Sequence, residues 1–446
     1  MNIELLLAVL AGIAILLLLI LLVRLHAFLA LLIASVTVGL LAGMNGAQIA
    51  DTIQKGMGST LGFVATIVGL GAMFGSILEA SGGAEAVAKS LVSPDQTQRA
   101  PWTMMITGYI VSIPVFFDVG FIILVPLIYG LQHRSGKSIL AFAIPLLAGL
   151  AVTHAFVPPT PGPVAVAGIL GADIGTVILI GLITGIPAAI VGGIIWGKFI
   201  SKRIFVAAPE ANEKITETNV PPVWMFMLLI IVPLVLIITG TIIDTLVKNG
   251  AQNLEQLKKI FDLIGHPFAA LIIANLLSWY LLGIRRGMSR EKLLQITTRS
   301  LTPVGMIILL IGAGGVFKQV LVDTGSGEML ARSITSLGIP LFLFAFITAA
   351  IIRILQGSAT VAMITSAGLT APLLMGTGLS EIQLACVVIS IASGATFMSH
   401  VNDSGFWLVK QYLGLTEKQT FQSWTVMTMI VGIVGLLGSG LIYYLL

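Results

Sequence analysis

Five ionisable side chains stand inside otherwise apolar stretches of this 446-residue chain: Asp118, His154, Arg353, His400 and Asp403. A charge in hydrocarbon is costly, so each is a candidate functional group by default. Asp118 sits in "SIPVFFDVGF". A carboxylate in so apolar a setting can trade its charge for a proton, which is the chemistry of a proton carrier; the alternative is a structural carboxylate paired with a neighbouring donor. Arg353, in "RILQGSATVA", keeps its charge and presents a planar fork that matches a carboxylate, as an anionic substrate would require. Its structural alternatives are an ion pair with a carboxylate such as Asp403, or snorkelling to the interface. The stretch "QGSAT" at 356–360 gathers Gln356, Gly357, Ser358 and Thr360, which offer backbone amides and hydroxyls to a ligand. Small hydroxylated residues also serve simply to pack membrane helices closely.

Two densely polar runs interrupt the apolar pattern. "THAFVPPTPGP" (153–163) carries His154, Thr160 and the prolines Pro158, Pro159, Pro161 and Pro163. "SHVNDSGFW" (399–407) carries His400, Asn402 and Asp403. Proline lacks an amide donor and clashes with the preceding turn, so the first run predicts a broken helix. Irregular backbone at membrane depth is tolerated where it lines a cavity or is buried in protein. The prolines are therefore expected to hold open one wall of a binding site, with His154 at its edge. Lys318 and Asp323, in "FKQVLVD", read as interfacial side chains that snorkel.

The elements that must position these groups are membrane spans. The chain is 57% hydrophobic and only 9% charged, with a mean hydropathy of +1.06, whereas a soluble domain is about 25% charged. The first apolar run, from Ile3, reads as a retained span rather than a cleaved leader. A formal charge of +4 points to basic loops on one membrane face rather than to nucleic acid. Cys386 is the single cysteine, which excludes an intrachain disulfide. The HExxH, P-loop and GxSxG patterns are absent, so neither an enzyme nor a cofactor is expected. The energy source would be an ion gradient, or the chain is a passive anion channel.

The chain reads as a duplication. "HAFLALLIA" from His26 recurs as "HPFAALIIA" from His266, an offset of 240 residues. "GAMFGSILEASGGAEAVAKSL" from Gly71 recurs as "GGVFKQVLVDTGSGEMLARSI" from Gly314, an offset of 243. Phe74 then falls on Phe317, Gly82 on Gly325, Glu85 on Glu328, Lys89 on Arg332, and His154 near His400. Basic clusters at 198–203 and 285–299 mark the cytoplasmic face, so the span from His266 runs inward and that from His26 outward. The expected architecture is an all-α polytopic membrane protein of two inverted-topology repeats, 1–197 and 223–446, with a cytoplasmic linker at 198–222. Each repeat has about five spans, a re-entrant hairpin (101–131 or 338–374) and one broken helix (139–170 or 380–411). The third span of each is expected at 61–80 and 302–322. Such designs place the site at the repeat interface near mid-membrane.

With these residues in view, "HAFLALLIAS", "KGMGSTLGF", "THAFVPPTPGP", "IGAGGVFKQVLVD", "RILQGSATVA" and "SHVNDSGFWL" together resemble the gluconate permease (GntP-type) family, over nearly the whole chain. The resemblance implies symport of gluconate or a related sugar acid with protons across a bacterial inner membrane, by a homodimer with an elevator-like motion. Some members carry D-serine, so a small hydroxy or amino acid is the alternative substrate; Arg353 and "HVND" look more like the gluconate branch. The candidate substrate contacts are Arg353, Gln356, Gly357, Ser358, Thr360, His154, Thr160, His400 and Asn402. Asp118 and then Asp403 are the candidate proton carriers, with sodium an alternative coupling ion.

Overall fold

The computed structural model describes residues 3–83, 86, 98–208, 221–326, 340–374 and 377–446, and every regular element among them is helical. A helix pairs its backbone polar groups within its own segment, which hydrocarbon demands. The first half runs α1 (Ile3–Leu21), α2 (Ala27–Leu41), α3 (Gly46–Ala80), α4 (Ala100–Val111), α5 (Phe117–Ser135), α6 (Leu140–Phe156), α7 (Pro161–Leu170) and α8 (Ile174–Arg203). The second runs α9 (Val223–Lys248), α10 (Glu255–Ile264), α11 (Pro267–Arg286), α12 (Arg290–Asp323), α13 (Leu341–Gln356), α14 (Ala359–Leu374), α15 (Glu381–Thr396), α16 (Ser404–Leu413) and α17 (Glu417–Leu445). Apart from α10 the two series correspond. Seven helical stretches among the described residues are long and apolar enough to cross a membrane: α3, α6 with α7, α8, α9, α11, α12 and α17. The chain is a multi-pass membrane protein.

Three elements differ from the sequence reading. The third span of each half begins far earlier than its apolar core. α3 starts at Gly46 because Asn45 and Gln48 form a reciprocal cap, with Gln48 N donating to Asn45 Oδ1 at 3.0 Å and Asn45 N to Gln48 Oε1 at 2.9 Å. α12 starts at Arg290, where Lys292 N donates to Ser289 Oγ at 3.2 Å. Capping sets a helix start that hydropathy does not register. The third difference is α10, whose Leu257, Ile260 and Leu263 are exposed while Lys258 turns inward to Asp244 at 2.7 Å. The repeat matches Glu85 with Glu328 and Lys89 with Arg332, the linker residues 209–220 and the hairpin residues 338–339 lie outside the described residues.

α3 and α12 pack against each other antiparallel. At one end Thr52 donates to Asp323 Oδ2 at 2.8 Å, and at the other Glu79 and Arg299 flank one crevice. The approach is close at Gly56, where a Cβ would stand 2.7 Å from the Val316 Cα. α4 and α13 have 12 and 16 residues. At 1.5 Å per residue that is about 18 and 24 Å, short of a hydrocarbon core of about 30 Å. Each joins a second arm through a tight turn, 112–116 or 357–358. The two breaks, 157–160 and 397–403, interrupt α6–α7 and α15–α16. The first is narrower than the proline run predicts. Pro161 and Pro163 lie in the first turn of α7, where the missing amide costs nothing.

Candidate substrate cavity

The turn of the second hairpin is set by Gly357. Its φ is +92°, a left-handed conformation that an L side chain adopts only with strain. A Cβ there would also lie 2.7 Å from the carbonyl carbon of Asn402, so only glycine lets the turn close on the second break. Ser358 caps α14, accepting from Val361 N at 3.3 Å. Arg353, on the last turn of α13, is only 5% exposed. Its Nη1 donates to the Gly357 carbonyl and its Nη2 forms an ion pair with Asp403 Oδ2. Nε is buried without a partner among the described residues.

Asp403 is itself held from several sides. As the N-cap of α16 it accepts from Gly405 N at 3.1 Å, and its other oxygen accepts from Ser399 Oγ. Ser399 Oγ in turn accepts from Trp424 Nε1 at 2.7 Å. His400 Nε2 lies 2.7 Å from the Ile354 carbonyl, and Asn402 Nδ2 donates to that same oxygen at 2.8 Å. A carbonyl only accepts, so Nε2 of His400 carries a proton. The second break and the second hairpin are thus stitched together around Arg353.

The stitch forms one wall of a cavity of about 410 Å³. Arg353, Gln356, Gly357, Ser358, Thr360, Asn402 and Asp403 line it, and Asp118 and His154 face it from the first half. Asp118 lies in the first turn of α5, where the helix dipole favours a negative charge, and it has no hydrogen-bond partner among the described residues. His154 Nδ1 is likewise buried and unpartnered among them. Its ring stands 6.0 Å from that of Phe116. The cavity therefore joins one arginine, two carboxylates, two carboxamides and several hydroxyls, with Phe116, Phe117 and Trp424 as apolar surface. That set can hold an anion by its charge and hydroxyls by hydrogen bonds.

Two candidates stand apart from the cavity wall. Thr160 donates to the Val157 carbonyl at 2.8 Å and faces a separate small void beside Pro114. His400 is occupied behind the wall by Ile354. The prolines of the first break do not line the cavity either: Pro159 packs against Gly71 of α3, at 3.1 Å from its carbonyl oxygen to the position of a Cβ there. They shape the contact with α3 rather than a wall of the cavity. Lys318 does not snorkel, because its Nζ donates to the Ile169 carbonyl. Asp323 accepts from Thr52 and from Gln319 Nε2 at 2.7 Å. The cavity also holds Phe116, Phe117, Thr396, Ser404, Trp424 and Thr428, which the sequence reading did not single out. Trp424 and Thr428 lie in an unbroken apolar span and carry no local signal; Phe116 and Phe117 adjoin Asp118 and could have been taken with it.

Broken helices and short hairpins around a charged cavity, inside a bundle of spanning helices, define a membrane transport protein. The chain belongs to the GntP permease family: residues 4–445 match the GntP family permease profile. It is 40% identical over 447 residues to the low-affinity gluconate transporter of Escherichia coli (strain K12), covering 100% of this chain and 99% of that one. It is 39% identical to the gluconate permease of Pseudomonas aeruginosa, covering 93% and 92%, and 37% identical to the Gnt-II system L-idonate transporter of Escherichia coli (strain K12), covering 96% of each. Among solved structures, the Alcanivorax borkumensis YdaH transporter matches with a TM-score of 0.63 at 15% identity, over 90% of this chain and 89% of that one, a likeness of fold.

Proposed function

We propose that the chain takes up gluconate or a related sugar acid together with protons, across a bacterial inner membrane. The observation that carries this reading is the Arg353–Asp403 pair in the wall of a cavity that also holds Asp118, unpaired among the described residues. The substrate carboxylate competes with Asp403 for the arginine fork. An Asp403 released from Arg353 loses its counter-charge, which leaves two uncompensated carboxylates, Asp118 and Asp403, in one cavity. Arg353, Asp118 and Asp403 together carry one net negative charge when ionised. An incoming sugar acid adds a second, and one proton restores the balance, so proton and acid favour each other's binding. Asp118, without a hydrogen-bond partner among the described residues, is the first carrier and Asp403 the second. Gln356, Asn402, Ser358 and Thr360 meet the hydroxyl groups, and the aromatic side chains meet the carbon backbone.

The relatives named for gluconate and L-idonate support an acid of that class. The antiparallel packing of the repeat-related α3 and α12 supports inverted repeats at 1–197 and 223–446, and the shortness of α4 and α13 supports re-entrant hairpins. We extend the reading to a homodimer, which cross-linking in the membrane tests. The deciding experiment is uptake of labelled gluconate into proteoliposomes under separately imposed proton and sodium gradients. Accumulation under the proton gradient alone is the expected result. Accumulation under sodium alone would replace the coupling ion, and simple equilibration would make the protein a channel. Competition by L-idonate but not by D-serine is expected in the same assay.

A further inference from the structure

Ser399 stands in the second break, behind the cavity lining, and each of its polar groups is held. The residue is only 1% exposed. Its amide donates to Thr428 Oγ1 at 3.0 Å, and its carbonyl accepts from Thr425 Oγ1 at 2.6 Å. Its hydroxyl accepts from Trp424 Nε1 at 2.7 Å. The three partners share one face of α17, beside the π turn at Phe421–Thr425. The preceding residue, Met398, has a φ of +58°, which an L side chain adopts only at a cost. Backbone held in that region persists only where its surroundings fix it, and here the fixing comes from α17.

These bonds leave the Ser399 hydroxyl one choice. An indole N–H only donates, so the hydroxyl oxygen accepts from Trp424 and its single hydrogen is left for Asp403. That hydrogen goes to Oδ2, the oxygen that also pairs with Arg353 Nη2. Oδ1 keeps the Gly405 amide at 3.1 Å. The first break has no counterpart. At the 246-residue offset between His154 and His400, Ser399 falls on Thr153 and Asp403 on Val157. The Thr153 hydroxyl donates within its own helix, to the Gly149 carbonyl at 3.0 Å.

We propose that Ser399, aimed by Trp424, is a positioning residue that sets how readily a substrate carboxylate replaces Asp403 on Arg353. The proposal rests on the reading of the cavity as a sugar-acid site. When the substrate takes the arginine, Asp403 loses its counter-charge and keeps two donors, the Ser399 hydroxyl and the Gly405 amide. A hydrogen bond to a carboxylate without its counter-charge is worth more than one to a carboxylate already paired. Ser399 therefore holds the displaced carboxylate in place and lowers the cost of the exchange. The aiming side chain also meets the other half of the molecule. The Trp424 ring lies 5.4 Å from that of Phe117, on the helix that carries Asp118.

Two readouts on the full chain in nanodiscs test the relay: binding of labelled gluconate, and the indole N–H resonance of Trp424. Ser399→Ala is expected to weaken gluconate binding about tenfold, as loss of one hydrogen bond to a charged group would. Trp424→Phe keeps a ring and removes the N–H, and a loss of about threefold is expected. The double variant should bind no worse than Ser399→Ala, because Trp424 acts through Ser399; a merely structural tryptophan would add its own loss. Unchanged or tighter binding in folded Ser399→Ala overturns the proposal, and so do additive losses. Where Ser399→Ala does not elute as a single folded species, Trp424→Phe decides, and binding equal to that of the unsubstituted protein overturns the relay. The resonance needs no substrate. Assigned by its loss in Trp424→Phe, it should move in Ser399→Ala and, by less, in Asp403→Asn, since an amide oxygen accepts the Ser399 hydrogen more weakly than a carboxylate. A resonance unmoved in either folded variant overturns the relay. Absence of gluconate binding in the unsubstituted protein, with the resonance moving as expected, would sink the sugar-acid reading alone.

Discussion

Arg353 is the side chain on which the cavity wall depends. It closes the second hairpin through Gly357 and grips the second break through Asp403. Removing one member of such a buried pair leaves the other charge uncompensated, at a cost of about 3–5 kcal/mol. Arg353→Gln should therefore abolish binding of the acid and lower thermal stability in detergent. Asp403→Asn should destabilise similarly, while the double variant should lose less than the two single losses added together. Strict additivity would mean that the pair contributes nothing to the wall. Asp118 has no hydrogen bond to lose among the described residues. Asp118→Asn should leave stability unchanged and retain gluconate exchange, yet fail to accumulate gluconate against a gradient. Accumulation by this variant would move the carrier role to Asp403.

At the scale of the elements, a hairpin turn and a break meet at one glycine. Placing an L residue at the φ of Gly357 costs about 1–2 kcal/mol before any clash. The new methyl group would then press on the Asn402 backbone. Gly357→Ala should weaken gluconate binding while circular dichroism reports an unchanged helix content. Normal affinity in this variant would show that the turn does not need to close on the break. The two breaks are alike in sequence position and different in use. The second supplies Asn402 and Asp403 to the cavity, with Ser404 and Gly405 from the start of α16 beside them. The first sends His154 from the preceding helix and spends its prolines on the contact with α3.

In the whole molecule, the α3–α12 crossing is one of several contacts that join the first eight helices to the rest. Gly56 and Gly315 let the two helices approach to backbone contact, and a Cβ on Gly56 would lie 2.8 Å from the Gly315 carbonyl oxygen. A bulky side chain there cannot be absorbed by a rotamer change because the obstacle is backbone. Gly56→Leu should destabilise the protein by at least the roughly 1–3 kcal/mol typical of overpacking, read as a lowered unfolding temperature in detergent. An unchanged unfolding temperature would show that the halves are not joined tightly at this crossing.

Much of this protein was legible from sequence by itself. An apolar composition and the need to pair every backbone group in hydrocarbon leave helices as the route across the membrane, and matched glycines and histidines 240 to 246 residues apart disclose the two corresponding series. The expense of a buried charge singled out Asp118, His154, Arg353 and Asp403, which the fold brings to one cavity. Tertiary structure alone decided which polar groups face that cavity. Thr160 and His400 share the motifs of their neighbours but point at backbone carbonyls, since the direction of a side chain leaving an irregular turn is fixed by the chain packed against it. Lys318 read as interfacial because periodicity cannot reveal a distant carbonyl, and only folding carries the end of α7 to its ammonium.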